Sequence, residues 1–136
     1  MKRIVIGLFL SIIVSGCLPT AITKSDNKAV EQGEFAKGEI VRGFPNVPRY
    51  PESLVIESIE SGGSYGASFI SKDSLDKVTT FYSDTLSALG WESQLVKNSE
   101  SNYEIKIKNS QHEGTITINM AADGSQTAIT YSISPR

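Results

Sequence analysis

Downstream of residue 50 the apolar positions follow two rhythms, and each predicts a different element. Leu54-Val55-Ile56-Glu57-Ser58-Ile59 and Tyr65-Gly66-Ala67-Ser68-Phe69-Ile70 read as strands. Ser61-Gly62-Gly63-Ser64 between them reads as a turn, since paired glycines tolerate positive φ. The pair predicts a hairpin. From Asp73 to Gly90 the period becomes helical: Leu75, Val78, Tyr82, Leu86 and Leu89 share one face, with Phe81 and Thr85 at its edges. Asp73 is the expected N-cap, Asp76 suits the first turn, and Gly90 suits a left-handed stop. Period two then returns. Trp91–Val96, Tyr103–Lys108, Thr115–Met120 and Thr127–Ser134 read as four further strands. Their inward residues are Tyr103, Ile105 and Ile107, then Ile116, Ile118 and Met120, then Ile129, Tyr131 and Ile133. Alternation over consecutive strands means an antiparallel sheet with one buried and one wet face. The expected fold is α+β: a two-layer sandwich of about six strands, ordered β-β-α-β-β-β-β, with one helix on one face.

Upstream the pattern breaks. Phe44-Pro45-Asn46-Val47-Pro48-Arg49-Tyr50-Pro51 cannot be helical, because each proline lacks an amide hydrogen and disfavours helical geometry in the residue before it. It should lie extended against the fold. Residues 17–43 are expected to form a tether. Lys24-Ser25-Asp26-Asn27-Lys28 and Glu31-Gln32-Gly33-Glu34 are polar, and too little apolar surface joins them to offset the entropy of ordering. As a flexible coil of about 26 residues, the tether would span roughly 25–30 Å. The expected domain is 44–136.

Residues 1–16 form a third kind of pattern. Met1-Lys2-Arg3 precedes the apolar run Ile4–Val14, and Ser15-Gly16 leads into Cys17, the only cysteine. Basic start, short apolar stretch and small residues make a secretory signal peptide. A membrane span needs about 20 apolar residues, more than this run supplies. A lone cysteine has no disulfide partner in the chain. Val14-Ser15-Gly16-Cys17 resembles the lipobox of bacterial lipoproteins. The resemblance implies cleavage between Gly16 and Cys17, a diacylglyceryl thioether on the cysteine sulfur and usually an acyl group on its amino end. Each buried methylene contributes about 0.8 kcal/mol, so two or three chains hold where one would not. Leu18 follows the cysteine where an Asp would resemble an inner-membrane retention signal. In an organism with two membranes this favours the outer membrane, facing the periplasm.

A second resemblance covers roughly residues 45–134. Tyr50-Pro51, the hairpin, Asp73-Ser74 opening a helix with Phe81-Tyr82 and Leu86, and Gly90-Trp91 together resemble a small module of bacterial envelope lipoproteins. These positions match core and turn roles, so the resemblance implies class and location without an activity.

Charge narrows the partners. The chain carries 13 basic and 15 acidic side chains; loss of Lys2 and Arg3 with the signal leaves a net charge of −4. A nucleic-acid footprint wants a basic stripe. The only histidine, His112, stands beside Glu113 in a polar stretch. A general base there would need a nucleophile within reach, and no Gly-x-Ser-x-Gly context supplies one. No His or Cys pair has metal-ligand spacing, and the scattered Glu57, Glu60, Glu92 and Glu104 define no cleft. No catalytic residue, metal or cofactor is therefore expected. The most informative surface is the wet sheet face. Thr115, Thr117 and Asn119 on one strand, with Thr130 and Ser132 on another, are small and polar. These five are the candidate protein-binding face. The expected function is a lipid-anchored, non-enzymatic binding or assembly-accessory module for an envelope protein. The alternative is a binder of a small molecule or cell-wall glycan between helix and sheet.

Overall fold

The computed structural model describes residues 33–136. The signal, Gly16, Cys17 and the tether up to residue 32 lie outside the described residues. The domain is α+β, with one seven-stranded antiparallel sheet and one α-helix. The strands are β1 (Phe35–Lys37), β2 (Ser53–Ser61), β3 (Ser64–Ser71), β4 (Glu92–Ser99), β5 (Asn102–Lys108), β6 (His112–Met120) and β7 (Thr127–Pro135); α1 (Leu75–Thr85) lies between β3 and β4. Their spatial order is β1-β2-β3-β7-β6-β5-β4. The chain therefore leaves the middle of the sheet at β3, crosses one face as the helix, and returns by a meander from the far edge.

The crossing explains the helical pattern. Leu75, Val78, Tyr82 and Leu86 are buried against the sheet. On the sheet side the core is Ile105, Ile107, Ile116, Ile118, Ile129, Tyr131 and Ile133, the residues whose alternation pointed inward. Met120 and Leu89 depart from expectation and are substantially exposed. Leu89 sits in a short 3-10 turn, Ser87–Leu89, which rotates it off the helix face before Gly90 closes the helix with a φ of 81°. The N-cap is Ser74 rather than Asp73: its hydroxyl accepts from the Lys77 amide. Asp73 does other work. Its carboxylate accepts from the Tyr50 hydroxyl at 2.6 Å and pairs with Lys77 at 2.9 Å, and both hold its pKa below the usual range.

The helix covers only part of the inner face. The segment 38–50 covers the rest, as a strap over β2, β3 and β7. Val41 and Tyr50 are buried. The Ser58 hydroxyl accepts from the Val41 amide and donates to the Glu39 carbonyl, both at 2.8 Å. Trp91 Nε1 donates to the Asn46 carbonyl, and the Tyr131 hydroxyl donates to the Pro48 carbonyl. Prolines suit this role, since an extended strap needs no ladder amides of its own.

The domain consequently starts before the expected boundary at 44. Phe35–Lys37 pairs antiparallel with Glu57–Ile59, and Val41 is buried, so the last part of the expected tether belongs to the fold. Three strand residues are too few to show a period. β1 also accounts for the seventh strand.

Candidate functional site

In a pleated strand successive side chains point to opposite faces. Because Ile105, Ile107, Ile116, Ile118, Ile129, Tyr131 and Ile133 are buried beneath the helix and strap, their neighbours line the opposite face, which no element among the described residues covers. Strand register arranges those neighbours in two transverse rows across all seven strands. One row runs Phe35, Ile59, Gly66, Ser132, Thr115, Lys106, Gln94; the next runs Lys37, Glu57, Ser68, Thr130, Thr117, Glu104, Val96. The structure thus brings the candidate residues together. Thr115 is the cross-strand partner of Ser132, Thr117 of Thr130, and Asn119 of Ala128.

The middle of this face differs from its sides. β3, β7 and β6 present Ser64, Gly66, Ser68 and Ile70, then Ala128, Thr130, Ser132 and Ser134, then Glu113, Thr115, Thr117 and Asn119. Glu113, at one end of the strip, is its only charge. Charges gather instead on the flanking strands, as Lys37 and Glu57 on one side and Glu92, Glu104, Lys106 and Lys108 on the other. Lys108 pairs with Glu92 at 2.9 Å. A groove of about 680 Å³ runs over the polar half and is lined by Lys106, Lys108, Glu113, Thr115, Ser132 and Ser134, among others. Toward β1 the face turns apolar: Phe35 is 60% exposed, Leu54 66% and Ile59 47%. Gly66 has no side chain to offer, which leaves a dimple of about 180 Å³ between Phe35, Ile59 and Thr130.

Sequence reasoning missed the apolar side. Leu54, Val55, Ile56 and Ile59 are all hydrophobic, so alternation does not say which point outward. A β-bulge between Val55 and Glu57 shifts the phase, burying Val55 and exposing Leu54 and Ile59.

The space between helix and sheet has a different character. Tyr82, Leu86, Ile116, Ile118 and Ile129 are completely buried there and pack against each other. The Tyr82 and Tyr131 hydroxyls lie 2.6 Å apart. Because Tyr131 donates to Pro48, Tyr82 is the donor in that pair. Burial pushes the Tyr82 phenol up to about 12 and raises Tyr131 well above its ordinary value. Trp91 and Tyr82 are core residues here. His112 opens β6 with its ring 6.4 Å from that of Tyr65, and Glu113 on the opposite face lies 3.8 Å from Arg136. No group of three or more His, Cys, Asp or Glu among the described residues could hold a metal.

Fold and surface together define a small α+β domain with one packed and one open sheet face. The START domain-like family matches residues 55–130, more than half of the chain, and the chain belongs to that family. The match begins within β2 and so leaves out β1 and the strap. Comparison with curated proteins and with solved structures gives no match.

Proposed function

We propose that this is a lipid-anchored envelope protein whose open sheet face docks a protein partner. The anchor is Cys17, by its resemblance to a lipobox; an outer-membrane position facing the periplasm follows where the organism has two membranes. The observation that carries the docking reading is the make-up of the open face: small uncharged residues in the middle, charges at the flanks, and exposed Phe35, Leu54 and Ile59 beside them. Charge depletion at the centre with a polar rim is how protein interfaces are built. Small-molecule sites are concave, mostly apolar and enclose their ligand. The broad polar groove does not have that form, and the helix–sheet seam is filled by side chains. The START domain-like match is in keeping with a binding module.

Two experiments test the reading. A fatty-acid probe should label the full chain and fail to label Cys17→Ser; equal labelling would remove the anchor. A photo-crosslinker at Thr130 in the full chain should capture a defined protein in cells, while one at the exposed helix residue Ser83 should not. Capture from Ser83 alone would move the docking site to the helix.

A further inference from the structure

We infer that the protein docked on the open face is a second copy of this chain, stacked face to face about a two-fold axis that lies across the strands. The inference rests on the docking reading above and goes beyond it by naming the partner and its geometry.

The first argument is charge. Let the axis lie between the two transverse rows and run parallel to them. Each residue of the first row then faces the equivalent position in the second row of the other copy. Lys106 stands over Glu104 of the second copy, and Glu104 over its Lys106, giving two opposite-charge contacts at one rim. In the middle, small residues meet small residues: Thr115 over Thr117, Ser132 over Thr130, Gly66 over Ser68. At the other rim Lys37 stands over Phe35, the geometry of a cation–π contact. Glu57 opposite Ile59 and Gln94 opposite Val96 are the poor matches, and both lie outside the central strip. An axis along the strands would instead set each row over itself and place Glu57 opposite Glu104, a like-charge contact.

The second argument is size. Seven strands about 4.8 Å apart, with two rows to either side of the axis, present roughly 600–700 Å². Stable interfaces bury about 600–1,000 Å² per partner, so this face is at the lower end of what one needs. Sheets packed face to face lie about 10 Å apart, and small central residues permit that approach.

The third argument is the anchor. The chain joins the domain at β1, an edge of the sheet. The transverse axis runs from the β4 edge to the β1 edge, so both β1 strands fall at the same end of the dimer. Two lipid anchors can then enter one membrane, with the two-fold axis along the membrane normal. Pairing through the free β4 edges would put the two β1 strands at opposite ends of a doubled sheet.

Charge reversal gives the test. The full chain, lipid-anchored in cells, carries a photo-crosslinker at Thr117, near the axis. Crosslinked homodimer is expected, joined near Thr115 or Thr117 of the other copy. Glu104→Lys alone and Lys106→Glu alone should each cut the dimer yield about tenfold, by setting like charges together, which corresponds to roughly 1.4 kcal/mol. The double variant Glu104→Lys/Lys106→Glu should restore it, which a folding defect in either single variant would not do. Failure of the double variant to recover would overturn this geometry. Crosslinks from Thr117 to a different protein would overturn the dimer and leave the docking face standing. No crosslink to any protein would sink both.

Discussion

On the helix side of the sheet, Ile105, Ile116 and Ile129 are almost wholly sealed from solvent. One residue along each strand, Lys106, Thr117 and Thr130 face the other way, under no second layer among the described residues. The two faces share backbone, strands and register, yet they answer to different demands. The inner face must fill a volume. Helix and strap interlock over it, and its polar atoms are satisfied in place, as Ser58, Trp91 and Tyr131 are by strap backbone. The outer face has no volume to fill, so its residues are not explained by folding. A face free to be charged throughout keeps its central strip nearly uncharged, and that is the feature from which the docking role is proposed.

Perturbations should separate the faces, and the largest effects belong inside. Leu86→Ala empties a fully buried site and should cost about 2–5 kcal/mol, a large share of the roughly 5–15 kcal/mol available to such a domain. Ser83→Ala, on the exposed side of the same helix, should stay within about 0.5 kcal/mol. Equal melting shifts for the two would mean that the helix does not present this face to the sheet.

Alkaline pH attacks the inner face through its phenols. Both Tyr82 and Tyr131 are held neutral by burial, with folded pKa values above the unfolded value of about 10. For Tyr82 the contribution is complete below the unfolded value of about 10 and is lost as pH rises through about 12; Tyr131 is raised by burial and acts in the same direction. For Tyr82 that loss is about 2–3 kcal/mol. Denaturant melts at pH 8 and pH 11 should show about half of it, roughly 1.4 kcal/mol, and Tyr82→Phe should flatten the dependence. An unchanged slope in that variant would assign the alkaline loss elsewhere.

A third break tests the tightness of the ladder. A Cβ on Gly114 would lie 2.2 Å from the Ser132 carbonyl oxygen, a contact that backbone must move to relieve. Gly114→Ala should cost about 1–3 kcal/mol by chemical melting. Gly124→Ala serves as a comparison. Its Cβ meets nothing closer than the Met120 sulfur at 3.9 Å, and its φ of 69° supplies mild strain without a clash. A smaller loss at Gly114 than at Gly124 would contradict the close approach.

Much of the inner face was legible in the sequence, because burial imposes period. The helix, the strands and the inward isoleucines follow from alternation of 3.6 and 2. What escaped has physical reasons. β1 is too short to carry a period and gains its order from β2. The bulge at Val55/Glu57 puts Leu54 and Ile59 on the open face, and a bulge leaves no sign in an unbroken apolar run. Asp73 competed with Ser74 for the cap; the partner that claimed its carboxylate, Tyr50, is distant in sequence. For the open face, Thr115, Thr117, Asn119, Thr130 and Ser132 could be grouped from strand parity alone. Their direct pairing, and the rows that place Lys106 beside Glu104, depended on register, which local pattern does not fix.

A small effect on folding and the largest on binding come from one variant, Thr117→Lys/Thr130→Glu. The two positions are cross-strand partners, so the new side chains can pair with each other and avoid like-charge strain. Both change the centre of the open face and neither touches the core. The measurement is a melting curve of the full chain taken with the yield of crosslinked partner from a photo-crosslinker at Ser132. Folding should hold within about 1 kcal/mol while partner recovery is lost, because charged bulk at the centre of an interface must be desolvated. A collapsed fold would show that the face is needed for packing; an intact fold with undiminished partner recovery would show that this face is not where the protein binds.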